Sequence, residues 1–103
     1  MRWLFHIAHR DAVHFDDTDR YAPDSLAREG FIHCSYRDAV TESARLYFPE
    51  GVILVVLAID PRLLDVPVDV AATPRGPMPH VCGPIPRAAI HVVEDVAAHP
   101  DEV

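Results

Sequence analysis

The chain has 103 residues, half of them hydrophobic, and a formal charge of −7 with histidine neutral. That is enough for one folded domain with an ordinary core that can form without metal or disulfide staples. It also argues against a grip on long nucleic acid, which needs a basic face, while leaving room for a local arginine pocket that holds a single phosphate.

The reading along the chain begins with "RWLFHIA" (2–8). Strict alternation makes it a strand with Trp3, Phe5 and Ile7 on one face and Leu4, His6 and Ala8 on the other. The polar stretch 9–24 reads as loop with room for one helical turn. "DSLAREG" (24–30) predicts a short helix, capped by Asp24 or Ser25 and closed by Gly30 in a left-handed conformation. "FIHC" (31–34) predicts a second strand. "SYRDAVTESARLYF" (35–48) predicts the longest helix, with Ser35 and Asp38 as a capping box and Val40, Ala44 and Tyr47 on its apolar face. "VILVVLAID" (52–60), apolar on both faces, is the central strand. "PRLLD" is a turn. "VPVDV" (66–70) alternates as an edge strand open to pairing with a second copy of the chain, a homodimer. The proline- and glycine-rich stretch 71–88 reads as a long rigid loop with at most a short strand at His80–Cys82, and "AIHVVEDV" (89–96) as the last strand. The expected architecture is a single α+β domain over 1–96, a small, mostly antiparallel split sheet with two or three short helices, followed by a frayed tail, 97–103.

No apolar run is long enough for a membrane span, and the first residues lack the pattern of a secretion signal, so the expected location is the cytoplasm. There, Cys34 and Cys82 are expected as reduced thiols.

The chemistry-bearing residues concentrate in "EGFIHCS" (29–35). His33 shares a strand face with Phe31, and Ser35 follows at the mouth of a helix, where an imidazole and backbone N–H groups can meet an anion. The alternative for His33 is a packed histidine bonded to a backbone carbonyl. His6 and His80 sit in comparable apolar settings; His9, His14, His91 and His99 are expected to be solvated. A zinc site of His33, His80 and Cys82 matches no standard ligand spacing, and His33 and Cys34 point to opposite faces, so no metal is expected. The same geometry disfavours a Cys–His nucleophile, and both thiols read as small buried hydrophobes.

The segments "FHIA", "YAPDSLAREGFIHCS", "LVVLAIDPRLL" and "PHVCGPIPRAAI", spanning Trp3 to Val93, resemble the bacterial family called domain of unknown function 952. That family is similar in fold to ADP-ribosyltransferases, in particular the RNA 2′-phosphotransferase branch. The resemblance implies an NAD-dependent ADP-ribosyl- or phosphotransferase acting on a small molecule or terminal phosphate. It implies His6 and His33 as the catalytic pair, and His6, His33, Ser35 and His80 as residues that hold NAD. The alternative it leaves is a module that keeps the nucleotide or metabolite cleft without turnover. The chain departs from the family pattern in lacking a tryptophan shortly after "HIA" and in carrying Cys82 where relatives have tyrosine. Arg28, Arg75 and Arg87 are the candidates for gripping a phosphate.

Overall fold

The computed structural model describes residues 2–97. Among the described residues eight strands and two α-helices follow the order β1 (Leu4–His9), β2 (Arg20–Tyr21), α1 (Asp24–Glu29), β3 (Ile32–His33), α2 (Val40–Tyr47), β4 (Ile53–Ile59), β5 (Val68–Thr73), β6 (Gly76–Val81), β7 (Ile85–Pro86) and β8 (Ile90–Ala97). Short 3₁₀ turns fill several of the junctions. The strands form three antiparallel sheets: β1-β4-β8, β2-β7 and β3-β6-β5. This is a small α+β fold with few helices. The segment 98–103, read as a frayed tail, lies outside the described residues.

The central strand explains the layering. From Leu54 to Ile59 every residue of β4 is buried, so both faces of its sheet are covered. On one face Leu54 packs with Ala44 of α2, Ile7, Phe48 and Val52. On the other, Val55, Leu57 and Ile59 join Leu4, Ile32, Val81, Ile85 and Tyr21 in the main core, which draws the two smaller sheets against the large one. A backbone bridge between Phe5 and Ser35, with N···O distances of 2.8 and 2.7 Å, ties β1 to the chain leaving β3.

Three local expectations are corrected. Residues 71–88 are not a loop but hold a hairpin of β5 and β6, then β7. Prolines suggested otherwise because they cannot donate to a ladder. On β6, however, Pro77 and Pro79 alternate in phase, so both lack a donor on the same side. Pro79 accepts from the Cys34 N–H on the β3 side, and β3 pairs with only two residues of β6, so few ladder bonds are forfeited. The ladder to β5 runs on the other side with intact donors and covers the whole hairpin. The second correction concerns the caps: neither Asp24, Ser25 nor Ser35 caps a helix through its side chain. Helix α2 starts only after a 3₁₀ turn at Arg37–Ala39, because Ser35 is held in the bridge to Phe5 and its hydroxyl faces Ser43 instead. Gly30 does close α1 with φ 83°, its N–H reaching the Leu26 carbonyl. Finally, Tyr47 is not on the packed face of α2 but is 69% exposed.

The glycine of "PHVCGPI" has a packing reason. Gly83 is buried, and a Cβ there would stand 2.6 Å from Val66 Cγ1. Overpacking of that kind costs about 1–3 kcal/mol. Gly83→Ala is therefore expected to lower unfolding free energy in urea by that amount, and adding Val66→Ala should return more than half of the loss. Independent, additive losses in the double variant would refute the close contact as the cause.

Candidate functional site

β1, α2, α1, β3 and the β5–β6 hairpin surround a cleft of about 670 Å³. That volume lies within the range of small-molecule sites. The alternation of β6 turns Met78 and His80 toward the cleft, while Pro79 and Val81 are buried. Phe5 and Ile7 supply a wall from β1, and Tyr47 and Phe48 a wall from the end of α2. Ser25, Arg28 and Glu29 enter from α1.

His6, His33, Ser35 and His80, separate in sequence, all line this one cleft. Their states differ. His6 is buried and both ring nitrogens are committed: Nδ1 lies 2.7 Å from the His33 carbonyl oxygen and Nε2 2.8 Å from the Tyr21 hydroxyl. A carbonyl only accepts, so Nδ1 carries the hydrogen and Nε2 accepts from Tyr21. Burial of the imidazole, opposed in part by its bond to the His33 carbonyl, brings its pKa down from 6.5 to about 4. Burial likewise pushes the Tyr21 hydroxyl up, which keeps it a donor. His6 thus joins all three sheets, from β1 to the main chain of β3 and the side chain of β2, and a ligand could use its ring only by breaking one of these bonds.

His33 is exposed and its Nε2 meets Glu29 Oε2 at 3.1 Å, one helical turn back along the chain. Cross-strand register places His33 opposite His80 and His80 opposite Asp69, a row across β3, β6 and β5. The two imidazole centroids stand 5.2 Å apart, and Phe31 stacks on His80 at 3.9 Å with its plane tilted only 10°. Partial burial, and then the neighbouring His33, hold the His80 pKa below the ordinary value; Asp69 and Glu29 act in the opposite sense. No described side chain hydrogen-bonds a ring nitrogen of His80.

The other polar group of the cleft takes its partners from far along the chain. Arg75, at the tip of the β5–β6 hairpin, donates from Nη2 to Ser43 Oγ at 2.9 Å and from Nε to Glu42 Oε1 at 3.2 Å. Ser43 Oγ in turn lies 3.0 Å from Ser35 Oγ. Both serines are buried and the Arg75 side chain is 18% exposed, so the guanidinium sits on a short hydroxyl relay rather than in bulk water. The hairpin is fixed in this pose by Thr73, whose hydroxyl bonds the Gly76 carbonyl at 2.7 Å and accepts from the Arg75 N–H at 3.2 Å. Arg28 lines the cleft as well; Arg87 does not, being paired with Asp19 and stacked on Phe15. Ser43 and Tyr47 carried a usable signal in their spacing of four residues, which puts a hydroxyl and a ring on one stripe of α2.

Both cysteines are free thiols. Burial drives the Cys34 thiol upward, so it is no nucleophile at the cleft wall. Cys82 points to Asp69, at 3.6 Å, and is not part of the cleft lining. Among the described residues no group of three or more His, Cys, Asp or Glu side chains is placed to hold a metal ion. Among the same residues no helix is long and apolar enough to cross a membrane.

A family model described as protein of unknown function (DUF952) matches residues 7–93. Among solved structures, the fold is similar to that of protein CC0527 from Caulobacter crescentus, with a TM-score of 0.66 at 20% identity over 92% of this chain and 84% of that one. A double mutant of that protein gives a TM-score of 0.62 at 20% identity over the same shares. No curated protein matches the sequence.

The buried His6 ties stability to pH. The unfolded imidazole protonates near 6.5 and the folded one near 4, so the unfolded chain binds the extra proton between these values. Stability from this group is complete above pH 6.5 and is lost as pH falls toward 4, by roughly 3 kcal/mol in all at about 1.4 kcal/mol per unit. His6→Gln should unfold more easily at pH 7 and show a shallower fall in unfolding free energy between pH 6.5 and 4.5. An unchanged slope would show that His6 does not carry the effect.

Proposed function

The chain belongs to the family of proteins of unknown function called DUF952, and within that family we propose that its cleft binds a phosphate-bearing nucleotide, with NAD the ligand that the resemblance to ADP-ribosyltransferases implies. The observation that carries this reading is the Arg75 clasp. A guanidinium held on buried hydroxyls beside an apolar wall suits a ligand with an anionic centre and flat apolar ends. Glu42, its present partner, is 64% exposed. Exposed ion pairs contribute about 0–1 kcal/mol, so a phosphate can replace the Glu42 carboxylate at little cost. Phe5, Tyr47 and Phe48 offer surface for a base or a nicotinamide ring, and His33 and His80 face the ribose side. His6 acts in this reading as a positioning residue that fixes the His33 main chain.

A second reading adds turnover, and the Glu29–His33 hydrogen bond favours it. In an ADP-ribosyl transfer the glycosidic C–N bond breaks and nicotinamide leaves with the bonding pair. The acceptor oxygen attacks the oxocarbenium-like carbon, and its proton passes to the pair of His80 and His33, the latter steadied by Glu29.

Saturating NAD or ADP-ribose at ten times the dissociation constant should stabilise the fold by about 1.4 kcal/mol, a rise of roughly 5–10 °C in melting temperature. Arg75→Ala should remove the shift, and Glu42→Gln should strengthen it by freeing the guanidinium. Absence of a shift at millimolar concentrations of either ligand would dispose of the nucleotide reading. Release of nicotinamide with added acceptors, lost in His33→Ala, separates the transferase from the simple binder.

A further inference from the structure

We infer that His33 and His80 form a metal-independent acid–base pair that cleaves a ribonucleoside phosphodiester of dinucleotide size. This rests on the reading of the cleft as a site for a phosphate-bearing nucleotide and names a substrate class for it. Register, rather than chance packing, sets the pair: the two residues are direct cross-strand partners, with ring centroids 5.2 Å apart. Both line the cleft that holds the Arg75 guanidinium and the Ser43 hydroxyl. Two imidazoles at that separation can reach the two ester oxygens of one phosphoryl group, one accepting and one donating.

Their surroundings assign the roles. His33 Nε2 donates to Glu29 Oε2, and the carboxylate holds the ring in place. Its Nδ1 has no hydrogen bond to a described residue and is the nitrogen left for the proton-donor role in the step below. His80 has no hydrogen-bonded carboxylate on its ring and stacks flat on Phe31; its partial burial and the facing His33 imidazole favour the neutral form. Asp69, opposite on β5, and Glu29 pull in the other direction without bonding the ring.

The step needs no co-reactant. His80 removes the proton of the ribose 2′-hydroxyl, and the 2′-oxygen forms a bond to phosphorus. The bond from phosphorus to the 5′-oxygen breaks, the electron pair leaves with that oxygen, and His33 Nδ1 supplies its proton. The products are a 2′,3′-cyclic phosphate and a free 5′-hydroxyl, with His80 now protonated and His33 neutral; exchange with water restores the pair. Arg75 and Ser43 hold the non-bridging oxygens as charge builds on them. The net charge of −7 fits a short substrate rather than a long strand.

The test uses the full chain with the dinucleoside monophosphate UpA in EDTA, and its 2′-deoxy analogue as a binding probe that cannot react. Expected are cyclic phosphate from UpA, a loss of at least 100-fold in kcat in both His33→Gln and His80→Gln with folding confirmed by circular dichroism, and a raised KM in Arg75→Ala. Binding of the deoxy analogue without cleavage of UpA overturns the acid–base pair and leaves the nucleotide cleft standing. Cleavage that survives in the His33→Gln/His80→Gln double variant overturns it too. Failure of both binding and cleavage overturns this inference together with the cleft reading for this ligand class.

Discussion

One buried imidazole decides how this fold is put together. His6 donates to the main chain of β3 and accepts from Tyr21 of β2, so a single side chain on the large sheet satisfies partners on both small ones. The arrangement works only for the neutral ring with its hydrogen on Nδ1. A buried polar group left without either partner costs about 1–3 kcal/mol, which makes the three sheets mutually dependent at this point. The site inherits its shape from that dependence. With the His33 carbonyl drawn inward to His6, the His33 side chain is turned outward, opposite His80 and toward Glu29.

The second organising element is the β5–β6 hairpin. It carries His80 and Met78 along one face and Arg75 at its tip, so one rigid ribbon supplies two of the polar groups of the cleft. Thr73 fixes the turn and Gly76, at φ 98°, takes the left-handed conformation the turn needs. Helix α2 receives the tip through Ser43 and Glu42. The clasp thus has a permanent part, the buried hydroxyl relay, and an exchangeable part, the exposed carboxylate.

Much of this could be read from the residues. The alternation of β1 and the unbroken apolar run of β4 located the large sheet, and the period of two separated His33 from Ile32 and Cys34, which are buried as the alternation requires. Gly30 marked the end of α1 through its left-handed backbone. What escaped were facts that depend on partners distant in sequence. No spacing rule shows that Ser35 spends its backbone on Phe5 and so cannot begin a helix. Nothing local shows that the prolines of β6 share one phase on the side where the neighbouring strand is short. The clasp of Arg75 spans more than thirty residues of sequence, and only folding brings the hairpin tip to α2. His6 was legible as important, but its role as a joint between sheets depends on two bonds that the sequence does not encode locally.

The in-phase prolines of β6 have a bearing on what can dock there. Beyond the two residues of β3, that margin of β6 offers carbonyl oxygens, and at Pro77 no N–H at all. An extended polypeptide laid alongside would find acceptors without matching donors, so the margin is poorly suited to capture a foreign strand by sheet extension. Nor can it cradle an anion with main-chain amides, as a glycine-rich loop does. Guests must then be sorted by rings, hydroxyls and a guanidinium, and a handful of side-chain replacements would suffice to retune the selection while leaving the scaffold intact.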